Sequence, residues 1–505
     1  MNLTYHNTGK MPDVILINPR QPYLDFGDDM GIHQPLGLMQ LGSNLVENGI
    51  SAKLIDANAL NLPNEKIELP QPTKLAMVSV NTVMFPVSVK IAKAIKEKNP
   101  DVFVIAGGSH FMSMPHTLEG TPFDCAFGGA EADSIIAPLA RKILKEGKID
   151  YSTKGLIYVE GKLIKNPNPP LIPQEEMDKL PHPYKYAKEI GFDMGLYKGY
   201  ANTAVYGKGK YATVMTSRGC IYKCTFCLEA EVFNRTFRFH SAKYVYDMLL
   251  ECEKLGAKEF YFMDSEWSIA RQRNMELMKM MVDGKKDWRW ECLTRATDYT
   301  YSTLDYPKMM KKAGCISTIN GVESGSDETL QKIKKSATKD DYRRAFKILR
   351  ECGIERRASF IMGFPWETEK DLNDTLKFAI ELDPDFVYFQ IFAPYMGTPL
   401  YEEAKNYMIY DAEKDFGQWW QHSIIGGKVI VKTDTLTPED ITRINAEAYK
   451  KFYFRPSFII RQFLRSIDKP YRLKMMTKNG ITLLKQVLKR STFKPQIEIG
   501  VPESA

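Results

Sequence analysis

Three cysteines stand within eight residues, in the run Cys220-Ile-Tyr-Lys-Cys224-Thr-Phe-Cys227. Thiolates are soft anionic ligands, and three so close together invite a metal. A structural zinc takes four protein ligands, usually from paired C-x-x-C knuckles. No second knuckle follows, and His240 is too far along to be an obvious partner. A disulfide with a spare thiol does not suit a reducing compartment. Chance clustering is the bland alternative. An iron–sulfur cluster fits the spacing better, because short thiolate repeats hold such clusters. Three thiolates on four irons leave one iron open to a substrate or cofactor. Catalytic zinc differs from structural zinc in the same way.

Other segments must position these thiols. The run 211–220 reads as a strand that ends at Cys220, and five more strand-like runs follow at 258–264, 288–294, 315–324, 356–365 and 385–394. Helical text separates them, as in 241–256 and 339–353. Eight such units close a barrel, with active sites at the carboxyl ends of its strands. Six leave it open. Upstream, 13–20, 51–58, 74–81, 102–110 and 123–132 read as strands alternating with helices such as 35–50 and 87–100. That alternation predicts a parallel, doubly wound sheet. Prolines at 167, 169, 170, 173, 181 and 183 suggest a linker between the two series.

The spacing C-x-x-x-C-x-aromatic-C resembles the signature of the radical SAM superfamily. The resemblance implies that Cys220, Cys224 and Cys227 hold a 4Fe-4S cluster whose open iron chelates S-adenosylmethionine (SAM). It also implies an external electron donor such as a flavodoxin or ferredoxin. By the same resemblance Phe226 lies near the adenine. Asp264 and Ser265, beside Glu266, stand where relatives often carry an acidic pair, and Ser265 departs from that pattern. Arg295 pairs with the SAM carboxylate, Glu323 and Ser324 reach the ribose or methionine end, and Gly363 lets the backbone approach adenine. No catalytic acid or base is singled out.

The order of doubly wound domain, linker and three-cysteine barrel resembles the cobalamin-binding radical SAM enzymes. The matching text is INPR at 17–20, PLGLMQLGSNLVENG at 35–49, GGSH at 107–110, FGGAEAD at 127–133 and AYKKFYFRPSF at 448–458. The resemblance implies a Rossmann-like cobalamin-binding domain over 12–150 and a linker over 151–208. It implies a partial (β/α)6 TIM-type barrel over 209–400 and a mixed, mostly helical region over 401–505. Gly107, Gly108, Ser109, His110, Gly128 and Gly129 are the cobalamin candidates, and His33 and His116 are further pocket candidates. The D-x-H-x-x-G motif that supplies a histidine to cobalt in other cobalamin domains is absent. The function so implied is methylation of an unactivated carbon through a 5′-deoxyadenosyl radical and methylcobalamin. A non-methylating cyclase of the anaerobic magnesium-protoporphyrin type is the alternative. A redox sensor is the second.

The 505-residue chain is 44% hydrophobic and 26% charged, with net charge +7, which suits large buried cores and excludes a disordered or strongly basic nucleic-acid protein. No nucleic-acid module is recognisable. The N-terminal text has no apolar signal core, and no apolar run nears a membrane span, so a cytoplasmic setting is expected. Charge is uneven: between Arg455 and Lys494, Asp468 is the only acid. FIIRQFLRSI at 458–467 and ITLLKQVLKR at 481–490 have helical spacing. They can pack on the barrel with solvated cations, or lie on an anionic membrane beside a lipid-like or tetrapyrrole small-molecule substrate.

Overall fold

The computed structural model describes residues 11–21, 32–197, 210–300, 304–409, 429–467 and most positions of 470–481. The helical reading of 482–490 lies outside the described residues. Short continuous apolar runs become strands buried on both faces, as parallel sheets require. In β1 (Val14–Asn18) the first four side chains are all buried. β2 (Ala52–Asp56), β3 (Leu75–Ser79), β4 (Phe103–Gly107) and β5 (Cys125–Phe127) join it in parallel. Helices α1 (Leu36–Glu47), α2 (Phe85–Lys98), α3 (Ser109–Ser113) and α4 (Ile136–Glu146) lie between the strands. α1 and α4 bury Met39 and Leu139 with Leu16 on one face, and α2 buries Ile91 with Ile15 on the other. The sheet is thus doubly wound.

One element differs from expectation. β6 (Leu156–Glu160) and β7 (Lys162–Lys165), inside the proline-marked linker, form an antiparallel hairpin on this sheet. The order is β2-β1-β3-β4-β5-β6-β7. The signal was present in LIYVEGKLIK, two β-rich runs around Gly161, whose φ of +68° turns the chain. The prolines that follow obscured it.

The second series opens with β8 (Lys210–Val214) and a short antiparallel ribbon of β9 (Ser217–Arg218) and β10 (Arg238–Phe239). β11 (Ala257–Phe262), β12 (Arg289–Thr294), β13 (Cys315–Glu323), β14 (Glu355–Met362) and β15 (Phe386–Ile391) follow. With β8 they form a six-stranded parallel sheet, ordered β15-β14-β13-β12-β11-β8. Its helices are α5 (Leu228–Val232), α6 (Ala242–Lys254), α7 (Arg271–Asp283), α8 (Thr297–Thr300), α9 (Asp305–Lys312), α10 (Asp327–Lys332), α11 (Lys339–Glu351), α12 (Glu369–Leu382) and α13 (Pro399–Ala404). Then come α14 (Pro438–Tyr453) and α15 (Pro456–Leu464). Capping boxes Thr338/Asp341, Thr368/Asp371 and Thr437/Asp440 start α11, α12 and α14, each satisfying two otherwise unpaired backbone donors. Trp267 and Trp290 are buried in the wall with ring centroids 5.4 Å apart. Burial of each large apolar side chain contributes roughly 1.5–3 kcal/mol.

An open barrel exposes two sheet edges, and unpaired edges aggregate. Side chains close both here. Along β8, the Gln34 amide donates to Tyr211 O at 2.8 Å and accepts from Thr213 N at 2.9 Å, and Tyr184 donates to Thr213 O at 2.6 Å. Along β15, Asn445 of α14 donates to Phe389 O at 2.8 Å, and the hydroxyls of Tyr449 and Tyr453 accept from Phe389 N and Val387 N at 3.0 and 2.9 Å. The first domain and the C-terminal region therefore each seal one edge of the barrel. Inside its lower half, Arg357 pairs with Glu291 at 3.4 Å, and both are fully buried.

Candidate active site

The cysteine loop leaves the carboxyl end of β8. Asp264, just past β11, accepts from Thr216 N at 2.8 Å and from the hydroxyls of Thr216 and Ser217. Arg273 donates to Thr216 Oγ1 at 2.8 Å from the other side. The chain then turns at Gly219, where φ is +85° and a Cβ would stand 2.2 Å from Thr236 O, so only glycine fits. Farther on, Thr225 N donates to Ile333 O and Leu400 N donates to Thr225 O, both at 3.0 Å. Cys227 occupies the position just before α5, with no side-chain capping bond. All eight cysteines are free thiols. Burial pushes Cys220 up to about 11 and raises Cys227 as well.

Two buried cations face this loop. Arg295 Nη1 donates to Cys224 Sγ at 3.6 Å, and its guanidinium lies 3.8 Å above the Tyr222 ring. Arg295 also donates to Lys335 O, and its Nε is buried without a partner. Lys335 Nζ donates to Glu323 Oε1 at 2.7 Å and lies 6.0 Å from the Phe226 ring centroid. Glu323 has φ +68°, left-handed backbone that a glutamate rarely adopts, at a register shift between β13 and β14. Strain of that kind gathers at functional sites. Beside Arg295, Asp298 accepts from Arg295 N at 2.8 Å and shares a hydrogen bond with Glu266. Burial first, and Asp298 second, push the Glu266 carboxyl well above its usual range, so the two carboxyls share a proton.

The residues expected to meet SAM divide. Cys220, Cys224, Cys227, Phe226, Arg295 and Glu323 lie together, and Ser265 is exposed at the barrel mouth. Asp264 is buried, with its oxygens on the cysteine-loop hydroxyls, so here it braces the loop. Ser324 is buried and donates to Glu367 Oε1 at 3.2 Å. Gly363 N and Phe364 N donate to Glu367 Oε2 at 2.9 and 3.1 Å. Glu367 thus ties the ends of β13 and β14 together, and burial pushes its carboxyl up to about 7. Asp298, Lys335 and Glu367 escaped the sequence reading. None lies at a strand end, and no spacing marks them.

The candidates in the first domain behave differently. Gly108, with φ +129°, packs so tightly that a Cβ would stand 2.4 Å from Val80 O, while the Cβ direction at Gly107 is open and Ser109 is exposed. His110 is fully buried, its ring nitrogens 3.3 and 2.8 Å from the hydroxyls of Thr82 and Thr117 and its ring stacked on Phe85. Burial holds it down to about 3, hence neutral. At Gly128 and Gly129 a Cβ would meet Ile157 Cδ1 at 2.5 Å and Phe127 Cζ at 2.8 Å, side-chain ends that would have to shift. His33 lies 5.7 Å from the Tyr261 ring and is held down to about 4 by burial, and His116 is exposed.

The two carboxyl edges meet. A Cβ on Gly397, past β15, would stand 3.4 Å from both Ser113 Oγ, at the end of α3, and Leu228, next to Cys227. Arg218, two residues before Cys220, reaches Glu131 at 3.0 Å and Asp133 at 2.8 Å, in the turn after β5. Arg238 joins at 2.9 Å from Glu131. The acids of FGGAEAD therefore dock the domains.

The donor set fits an iron–sulfur cluster. It offers three thiols and no carboxylate or imidazole, with a buried cation on one sulfur. Among the described residues no group of three His, Cys, Asp or Glu is gathered to hold a metal ion. A tetrahedral ion would draw its sulfurs to within about 4 Å of one another, each lying ~2.3 Å from the metal. A cluster spreads them over several irons. At the strand-end turn the Cβ direction of Gly107 is open and Ser109 is exposed, so the backbone there is accessible.

A six-stranded parallel half-barrel with three thiols past its first strand is the arrangement of one enzyme class. Residues 214–379 match the family model of the radical SAM superfamily, so the barrel is a radical SAM domain. An uncharacterised methyltransferase of Pyrococcus horikoshii is 29% identical over 435 residues, 85% of this chain and 89% of the relative. The anaerobic magnesium-protoporphyrin IX monomethyl ester cyclase of Rubrivivax gelatinosus is 24% identical over 82% of this chain and 71% of its own length. Among solved structures, the cobalamin-dependent SAM radical enzyme OxsB superposes with TM-score 0.70 at 17% identity, covering 95% of this chain and 72% of its own. The radical SAM methyltransferase TsrM from Kitasatospora setae superposes with TM-score 0.65 at 18% identity, covering 88% and 90%. The fold of both domains is that of these two enzymes.

Proposed function

We propose that this chain is a cobalamin-dependent radical SAM methyltransferase acting on an unactivated carbon of a small-molecule substrate. The carrying observation is the meeting of two edges, the turn after β4 and the cysteine loop after β8, bridged by Ser113, Gly397 and Leu228. Cys220, Cys224 and Cys227 would hold the 4Fe-4S cluster, and Gly107, Gly108 and Ser109 would receive cobalamin. Bound there, the two groups supply an electron for reductive cleavage of SAM and a methyl carrier for transfer. His110 is enclosed, with both ring nitrogens on Thr82 and Thr117, so it would brace the turn and not hold the cofactor.

The chain's own residues bind and orient. The unpartnered Nε of Arg295 suits the SAM carboxylate. Glu323, fixed by Lys335, faces the same space. Sharing one proton, the Glu266–Asp298 pair places a single negative charge beside Arg295 instead of two. The Glu291–Arg357 pair closes the lower half of the barrel, so substrate enters from the mouth where the domains meet. One SAM is consumed as 5′-deoxyadenosine and a second as S-adenosylhomocysteine. The electron comes from an external protein such as a flavodoxin or ferredoxin, and free thiols suit the reducing cytoplasm.

Anaerobic incubation with SAM and dithionite tests this reading. Release of both 5′-deoxyadenosine and S-adenosylhomocysteine is expected. 5′-Deoxyadenosine alone would favour the cyclase reading, which the Rubrivivax relative supports, with a tetrapyrrole or lipid-like substrate. Release of neither sinks the radical reading and leaves a sensor.

A further inference from the structure

The buried cations of the barrel are balanced in different ways. Lys335 is paired with Glu323, Arg238 with Glu131 and Arg357 with Glu291. Arg273 has no carboxylate at ion-pair distance, but oxygen acceptors meet all three of its guanidinium nitrogens. Arg295 is buried with neither arrangement. Its Nη1 donates to Cys224 Sγ at 3.6 Å, its Nη2 donates to Lys335 O, and its Nε has no partner. The Tyr222 ring covers one face of the guanidinium, with its centroid 3.8 Å away. Among the described residues no carboxylate lies within ion-pair distance of that guanidinium. Glu266 and Asp298 share one negative charge nearby, and Asp298 is bonded to the backbone N–H of Arg295.

A guanidinium taken out of water is costly unless an opposite charge lies against it. The atom that Nη1 is aimed at is the Cys224 sulfur. A metal-ligating thiol is a thiolate, so uptake of a 4Fe-4S cluster supplies the missing charge. Cys220 and Cys227 differ, since neutral backbone N–H groups of Tyr222 and Glu229 lie against their thiols. We propose that Arg295 is the counter-charge of the 4Fe-4S cluster and raises its reduction potential through the Cys224 sulfur. One added electron makes the cluster more anionic, so the reduced state gains more from the guanidinium than the oxidised state does. Net charge and hydrogen bonds to sulfur are among the properties that set such potentials. The proposal rests on the reading of the three cysteines as cluster ligands. It gives Arg295 a role that precedes SAM and is separate from the offer of Nε to the SAM carboxylate.

A redox titration of the anaerobically reconstituted full chain tests this, run without SAM and followed by EPR of the reduced cluster. In Arg295→Met the ratio of reduced to oxidised cluster at a fixed potential should fall about tenfold, or ~59 mV for a one-electron couple. Its iron content and the visible absorption of its oxidised cluster should match wild type. Arg295→Lys keeps the charge and should recover at least half of the shift. A loaded Arg295→Met protein that titrates like wild type overturns the proposal. So does an Arg295→Lys potential as low as that of Arg295→Met, because charge would then not be the cause. Should Arg295→Met fail to hold the cluster, the wild-type chain decides. With its arginines labelled by 15N in the guanidinium, pulsed EPR of the reduced cluster should show a weak 15N coupling, and absence of that coupling overturns the proposal. A wild-type chain that takes up no four-iron cluster overturns the cluster reading together with the proposal, whereas an unmoved potential in a loaded variant overturns the proposal alone.

Discussion

The carboxyl edges of the two parallel sheets face each other and are built by opposite rules. The edge of the first sheet is mostly backbone, with Asp56 at the end of β2 buried against Asn18 and Tyr197. Gly107 and Gly108 shape it, Gly128 and Gly129 fit around Phe127 and Ile157, and His110 is sealed and uncharged. The edge of the barrel is buried charge: Arg295 on Cys224, Lys335 on Glu323, Glu266 with Asp298, and Glu367 under Gly363. A backbone-lined edge would hold a ligand by shape. A charged one must offset anionic thiolates and grip a zwitterion, and buried charges survive only when paired. Two other acids of the first edge, Glu131 and Asp133, are turned outward to Arg218 and Arg238 and serve docking.

Removing a thiol breaks the contrast most completely. Cys224→Ala should abolish the brown chromophore of the reconstituted protein and 5′-deoxyadenosine release, while cobalamin uptake by the first domain, read by its visible spectrum, stays near wild type. Next comes the docking cluster. Glu131→Ala leaves the buried Arg238 without its carboxylate, while Arg218 keeps Asp133, and should cost about 3–5 kcal/mol in urea unfolding. A loss below about 1 kcal/mol would mean that solvent reaches the cluster.

The charged edge should also leave a pH signature. Glu367 is raised from 4.5 to about 7 by burial. Below pH 4.5 it is protonated in both states. Between 4.5 and 7 the unfolded chain gives up its proton and the folded chain keeps it. Stability is therefore lost as pH climbs through this window, by roughly 3.5 kcal/mol at ~1.4 kcal/mol per pH unit. Glu367→Gln should flatten that slope in unfolding measured from pH 4.5 to 7.5. Smallest is the contact between the edges. Ser113→Leu crowds Gly397 and should slow S-adenosylhomocysteine formation about tenfold, near 1.4 kcal/mol in barrier, with 5′-deoxyadenosine release within about twofold. Equal slowing of both would mean that the contact positions the cysteine loop instead.

Much of this was legible because it rests on local pattern. Apolar runs of strand length, helices between them and three thiols in eight residues are properties of neighbours in sequence. They place both sheets, all six barrel strands and the cysteine loop. The β6–β7 hairpin was legible too, in two β-rich runs around Gly161, but the adjacent prolines hid it. Lys335 and Asp298 were not legible, since an ordinary lysine and an ordinary aspartate acquire meaning only beside Glu323 and Glu266.

The sequence by itself determined which residues form strands and where the thiols sit, because backbone preference and hydrophobic period act over a few residues. Only the tertiary structure decided the rest. It sealed the barrel edges with Gln34 and Tyr449, set Asp264 on the hydroxyls of Thr216 and Ser217, enclosed His110, and placed Glu131 and Asp133 against Arg218. Each is a choice of partner across many residues, and the cost of leaving a buried charge or backbone group unpaired makes that choice.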